Sequence, residues 1–458
     1  MARRVLSNAA RVGLVVVLAG GAAVSGFTGT WIARKHLDHH PRTPAPTAPA
    51  AYRAAAAAPT PAATPPAAPE PTAAGVVHAL AGLVTAPGLG PSLRATVVDA
   101  ATGAVLYAHD AGTPTAPAST AKLLTAAALL AVRPAATRLT TRVVAGTDGA
   151  VVLVGAGDPT LTGAPAGKPG AYPEAARISD LAAQLRKAGV RPTRIVVDDA
   201  LFAGPTIAPQ WAPEDVPSDY ASGITAVMAD GGRPTPDATI RTATPDLAAG
   251  QELAVALGSP SLPVVRGTPS AGAATLASVQ SASFGLLIEQ MLQASDNVIA
   301  ECLARQVALA EGQPASFTGA ANAVRTVLTR LGVDPGAGMV DGSGLAAGDR
   351  LSATTLAGVL RLVTQRPQLR TVLAGLPVAG WSGTLADRYL GSATHAAAGL
   401  VRAKTGTLTG VSSLAGTVHD HDGRLLVFAV VADQAPDTPD AEAALDRIAT
   451  QLAACGCR

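Results

Sequence analysis

Three short segments carry side chains whose types and spacing suit acyl-transfer chemistry. In Ala116-Pro117-Ala118-Ser119-Thr120-Ala121-Lys122 a hydroxyl and an amine stand three positions apart, at the head of a Leu- and Ala-rich stretch that runs to Arg133-Pro134. Three positions is about one helical turn, so Ser119 and Lys122 share a face and can touch. A serine hydroxyl attacks a carbonyl only when a neighbouring base takes its proton. A lysine serves as that base only when it is neutral near pH 7, which requires burial, the positive end of a helix dipole or a second cation nearby. The start of a helix also leaves backbone N–H groups unpaired, so the Ser119 amide can supply half of an oxyanion hole. Taken alone, Ser-x-x-Lys reads equally as an N-cap followed by a solvated lysine.

The second segment, Ser295-Asp296-Asn297, falls between two helical stretches at 286–292 and 298–309. It offers a hydroxyl that can relay a proton and an amide that can grip a peptide group. The third, Lys404-Thr405-Gly406-Thr407, closes a strand that begins near Gly399. There Lys404 adds positive potential, Thr405 can bond a carboxylate, Gly406 admits close backbone approach, and the Thr407 amide can complete an oxyanion hole. Each of these also has a plain reading, as an Asx turn and as a strand-to-turn tripeptide.

The elements that must position these groups follow from periodicity and turn chemistry. Residues 93–98 and 104–108 read as a hairpin around Asp99-Ala100-Ala101-Thr102-Gly103, leading into the Ser119 helix. A second hairpin is expected over 139–145 and 150–154, a helix after Ser179 as N-cap ending at Gly189, and a buried strand over 194–197. Residues 412–418 and 424–431 form a last hairpin across His419-Asp420-His421-Asp422-Gly423, whose histidines read as a polar tip. Asp341-Gly342-Ser343-Gly344-Leu345 and Trp381-Ser382-Gly383-Thr384-Leu385 read as flexible turns.

With 458 residues the chain exceeds one typical core, and its net charge of +2 argues against a nucleic-acid partner. Residues 1–40 hold basic Arg3, Arg4 and Arg11 followed by an uncharged apolar run, a membrane anchor or a signal peptide. Residues 41–74 are rich in Pro, Ala and Thr and poor in large apolar side chains, as in an extended tether. The expected architecture is α/β (α+β), with a catalytic domain from 75–145 and 276–458 and a β-rich inserted domain, strands with one clear helix, over 146–275.

The order Ser119-x-x-Lys122, Ser295-Asp296-Asn297, Lys404-Thr405-Gly406 is the motif set of β-lactamases and penicillin-binding proteins. The long separation of the first two motifs and the lack of Glu-x-x-Leu-Asn between them depart from class A β-lactamases. From about Val77 to Ala432 the chain resembles the D-alanyl-D-alanine carboxypeptidase and endopeptidase family, the class C low-molecular-mass penicillin-binding proteins. Further matches are Gly155-Ala156-Gly157-Asp158-Pro159-Thr160-Leu161, Asp198-Asp199-Ala200-Leu201-Phe202, Trp211, Asp341-Gly342-Ser343-Gly344-Leu345 and Gly383-Thr384-Leu385. The chain departs from the family at Ala346-Ala347, where Ser-Arg is usual.

The resemblance implies a β-lactamase/transpeptidase-like fold, an antiparallel sheet flanked by helices, and a serine-type carboxypeptidase acting on peptidoglycan stem peptides in the extracytoplasmic cell envelope. It implies Ser119 as nucleophile, Lys122 as base and Ser295 as proton relay. It further implies Asn297 on the substrate amide, Lys404 and Thr405 on the terminal carboxylate, and Ser119 and Thr407 amides on the oxyanion. β-Lactams would acylate Ser119, and neither metal nor organic cofactor is implied. Alternatives are a catalytically weak wall-binding homologue and a β-lactamase. Outside the cytoplasm, Cys302 would pair with Cys455 or Cys457 and leave one thiol free, or all three would be reduced.

Overall fold

The computed structural model describes residues 68–458. The apolar stretch of residues 1–40 and most of the Pro-rich tether lie outside the described residues. In chain order the ordered elements open with α1 (Ala73–Leu80), capped by the Thr72 hydroxyl, which accepts from the Gly75 amide. The strands β1 (Ser92–Asp99) and β2 (Val105–His109) form the expected hairpin. Asp99 shapes its turn by accepting from the Ala101 and Thr102 amides. A 3-10 turn, Ala118–Ala121, then delivers the chain into α2 (Lys122–Val132). Ser119 therefore sits in this tight turn and not in the α-helix proper.

The next elements are β3 (Arg138–Ala145), β4 (Val151–Val154), α3 (Ile178–Lys187), β5 (Ile195–Asp198), α4 (Pro245–Ala256), β6 (Val264–Arg266) and β7 (Thr275–Ser283). They build a five-stranded sheet in the order β6-β5-β4-β3-β7, in which β4, β5 and β6 run parallel. Two details differ from expectation. Arg177, not Ser179, is the N-cap of α3, because the Thr162 carbonyl accepts the Ile178 amide and starts the helix earlier; the Ser179 hydroxyl is buried without a partner. A second helix, α4, joins α3 in covering the sheet, since Leu181, Leu185, Ala249 and Leu253 share one apolar cluster with Val151, Ile195 and Val197.

The helical layer follows with α5 (Phe284–Gln293), α6 (Asn297–Ala310), α7 (Phe317–Arg330), α8 (Ala353–Gln365) and the short α9 (Thr371–Gly375). The chain ends in β8 (Val401–Leu408), β9 (Val411–His419), β10 (Leu425–Asp433) and α10 (Thr438–Ala454). These strands join the first two in an antiparallel sheet of order β2-β1-β10-β9-β8. Side chains alternate across a strand. In β10, Leu426, Phe428 and Val430 accordingly pack with Leu445 and Ile448 of α10, and Val427, Ala429 and Val431 pack with α2 and α8. Both faces are covered, so β10 reads as an unbroken apolar run. Helix α2 lies centrally, with every residue from Lys122 to Leu130 buried.

The cysteines differ from expectation. Cys455 pairs with Cys457, and Cys302 is a buried free thiol. Cys302 packs in α6 with Trp211 and Phe317, whereas Cys455 belongs to the apolar layer beneath α10, so the two never approach.

Candidate active site

The three sequence motifs meet where the Ser119 turn abuts the edge strand β8 and the loop before α6. Lys122 Nζ lies 2.8 Å from Ser119 Oγ, 2.6 Å from Asn297 Oδ1 and 2.8 Å from the Ser343 carbonyl. Its side chain is fully buried. Burial pushes its pKa from the ordinary 10.5 down to about 8, against the pull of the Asp341, Asp296 and Glu301 charges. The first motif thus pairs a hydroxyl with an amine that is partly neutral near physiological pH.

Ser295 and Lys404 form a second couple. Lys404 Nζ donates to Ser295 Oγ at 3.0 Å and to the Thr405 carbonyl at 2.8 Å. Burial, and then the charge of Lys122, push the Lys404 amine well below its usual range. Ser295 adopts φ +55°, a left-handed conformation that costs a non-glycine residue roughly 1–2 kcal/mol. Its neighbour Asp296 caps α6 by accepting from the Ile299 amide at 3.0 Å. The Asn297 amide donates to the Tyr220 carbonyl at 3.2 Å, so both ends of that side chain are fixed.

Strand β8 supplies the third motif on an edge. Register pairs Gly406 with Ser413 and Thr407 with Ser412 of β9. The Ala403 amide donates to the Pro377 carbonyl and the Val401 carbonyl accepts from Ala379, both on the side away from β9. With a period of two, the backbone groups of Thr405 and Thr407 also face that side, where an extended peptide can add to the edge. The Thr405 hydroxyl meets Thr384 Oγ1 at 2.7 Å, and the Thr407 hydroxyl reaches Glu442 at 3.3 Å. Gly406 is required by close approach: a Cβ there would overlap Ser413 Oγ and stand 2.9 Å from both the Ser119 amide nitrogen and the Pro117 carbonyl. The Ser119 amide therefore lies directly against this strand.

The segment Asp341-Gly342-Ser343-Gly344-Leu345, expected to be a flexible turn, is instead a buried and fully bonded seat for Lys122. Asp341 Oδ1 accepts from the Ser343 and Gly344 amides, and its Oδ2 accepts from the Ala346 amide and from Trp211 Nε1. Gly344 (φ +79°) passes so close to the Ala118 carbonyl that no Cβ fits. Glu301, held by Arg305 and the Gly342 amide, lies behind it, its pKa raised to about 7 by burial and the charge of Asp341.

All eight residues singled out in the sequence fall in this region. Sequence reasoning named Ser343 and Thr384 only within turns and family matches, and it missed Tyr220 and Ser413, which bond through a backbone carbonyl and a short hydroxyl. It also missed Tyr172, Arg233 and Arg241 around Asp296, which carry no local motif.

Fold and site together define a serine acyl-transfer enzyme of transpeptidase-like architecture. The sequence matches the D-Ala-D-Ala carboxypeptidase 3 (S13) family over residues 76–240 and 233–452. A carboxypeptidase of Mycobacterium tuberculosis is 46% identical over 395 residues, covering 84% of this chain and 85% of its own. Carboxypeptidase DacB of Mycolicibacterium smegmatis is 44% identical over 453 residues, 97% and 96% of the two chains. Among solved structures, penicillin binding protein 4 (DacB) of Haemophilus influenzae superposes with a TM-score of 0.68 at 21% identity, over 81% of this chain and 97% of that one. A second structure of that protein, complexed with a β-lactam, gives a TM-score of 0.59 at 21% identity, over 82% and 98%. The chain belongs to the D-Ala-D-Ala carboxypeptidase 3 (S13) family, and it is a serine-type carboxypeptidase, a hydrolase.

Proposed function

We propose that Ser119 attacks the carbonyl of the penultimate D-alanine of a peptidoglycan stem peptide while neutral Lys122 takes its proton. The Oγ–C bond forms, the C–N amide bond breaks, and Ser295 passes a proton to the departing amine. Water then hydrolyses the acyl-enzyme and regenerates the serine. Asn297 holds the substrate amide, Lys404 and Thr405 receive the terminal carboxylate, and the Ser119 and Thr407 amides stabilise the oxyanion. The observation that carries this reading is the buried Lys122 amine, 2.8 Å from Ser119 Oγ, with its pKa brought to about 8.

β-Lactams present a strained amide to the same serine, and the β-lactam complex of the Haemophilus relative supports their use as probes. We assign residues 75–145 and 276–458 to the catalytic domain and 146–275 to an accessory insertion, with β3 and β7 of the flanking segments completing the insertion's sheet. The N-terminal apolar segment would hold or export the enzyme into the cell envelope, with residues 41–74 as spacer. Incubating the full-length protein with a fluorescent penicillin tests the central claim: the parent should carry durable label on Ser119, and Ser119→Ala should carry none. A folded parent that never labels would refute Ser119 as nucleophile, and rapid release of hydrolysed drug would favour a β-lactamase.

A further inference from the structure

Asp296 stands between the two side chains of the second motif that face the site, and its carboxylate is gripped from a distant part of the chain. Oδ2 accepts from Tyr172 Oη at 2.8 Å and from Arg241 Nη2 at 2.8 Å, and Arg233 Nη2 stands 3.9 Å away. Arg233 also donates to Tyr172 Oη at 2.8 Å and lies over its ring at 5.4 Å. Arg241 is nearly sealed from solvent, and its other nitrogen donates to the Gly231 carbonyl at 2.6 Å. Gly231 (φ +65°) leaves no room for a Cβ against Tyr172 and Arg241, so the backbone is shaped around this contact.

We propose that Arg241, together with Arg233 and Tyr172, is a positioning residue for the reaction: the group clamps Asp296 and thereby holds Ser295 and Asn297 in register with Ser119 and Lys122. This inference rests on the acyl-serine reading above. Ser295 sits in a strained left-handed conformation, which persists only where its surroundings fix it. The clamp supplies that constraint one residue away.

A second effect is electrostatic. The charged or titratable groups facing Asp296 are Tyr172, Arg233, Arg241, Lys122 and Cys302. Burial opposes ionisation of Asp296, yet Arg241 and Arg233 hold its carboxyl well below the usual carboxylate range. The ionised Asp296 in turn favours the Lys122 ammonium. Two guanidiniums on that carboxylate offset its field and so help Lys122 stay neutral. A cation contributed by residues 172–241 thus reaches the general base through an intervening carboxylate.

The test compares the full-length parent with Arg241→Gln, Arg241→Lys and Asp296→Asn, following penicillin acylation rate across pH alongside thermal melting. Asparagine remains a good N-cap, so Asp296→Asn keeps α6 intact. Arg241→Gln should acylate about 100-fold more slowly, the size expected for misplacement by about 1 Å, and Arg241→Lys should fall between it and the parent. The midpoint of the alkaline rise should move up by about one pH unit in Arg241→Gln and down in Asp296→Asn. Opposed shifts cannot come from general loosening. Parental rate and midpoint in a folded Arg241→Gln would overturn the inference alone, as would two shifts of the same sign. An unlabelled parent would overturn the acyl-serine reading and this inference with it.

Discussion

If Lys122 is the base, acylation must follow the neutral fraction of its amine. The structure sets the midpoint: full burial brings the amine from 10.5 to about 8, even though Asp341, Asp296 and Glu301 pull the other way. With a midpoint of about 8, roughly a tenth of the amine is neutral at pH 7 and roughly nine tenths at pH 9, so acylation should accelerate about tenfold between them. The sign is fixed by chemistry, since only the unprotonated amine can take the Ser119 proton. A stopped-time labelling series with fluorescent penicillin at saturating and subsaturating drug separates binding from the chemical step. The rise should appear in the chemical step. A flat profile from pH 6 to pH 10, or a rise centred near the ordinary lysine value, would refute a desolvated Lys122 base. Lys122→Met should label at least about 100-fold more slowly at every pH, because no other amine lies against Ser119 Oγ among the described residues.

Two further outcomes are expected. Gly406→Ala should lower the acylation rate about 100-fold and destabilise by about 1–3 kcal/mol, since the new methyl wedges β8 away from Pro117 and Ser119; labelling and thermal melting read both, and an unchanged rate would show that the strand need not touch the turn. Burial, then the charge of Asp341, raise Asp349 to about 9 from its unfolded value of 3.8, so rising pH across that window favours the unfolded chain. Asp349→Asn keeps an acceptor for the Val340 amide, which bonds Asp349 at 2.8 Å, and removes the proton difference. The variant's advantage in melting temperature should therefore widen from pH 5 to pH 8, and a constant gap would refute the assignment.

What could be read from the sequence was what local chemistry encodes. Ser119 and Lys122 are one turn apart, so their contact follows from spacing. The strand pairs β1–β2, β3–β4 and β9–β10 follow from short apolar stretches on either side of turn-forming residues. Long-range partners left weaker traces. Asp341-Gly342-Ser343 resembles any glycine-rich turn, yet its burial arises because Trp211 and Glu301, distant in sequence, satisfy it. The Ser179 error has the same cause: a good capping residue was overruled by a backbone bond from Ile178 to Thr162. Cysteine pairing could not be chosen from sequence, because it depends on the long-range packing that holds Cys302 among Trp211 and Phe317, apart from the apolar cluster that contains Cys455.

The strand order β2-β1-β10-β9-β8 places the first-made strand between β2 and the last. A chain emerging from synthesis contains Ser119, Lys122, Ser295 and Asn297 long before β8 exists. Until β10 docks on β1, with Ser92 opposite Asp433, β9 and β8 are not joined to the first strands of the sheet, and Gly406 has no place against the Ser119 turn. The order of strands therefore ties Lys404, Thr405 and Thr407 to completion of the sheet: the third motif is held beside the Ser119 turn through β9 and β10, which anchor it to the first strand of the chain.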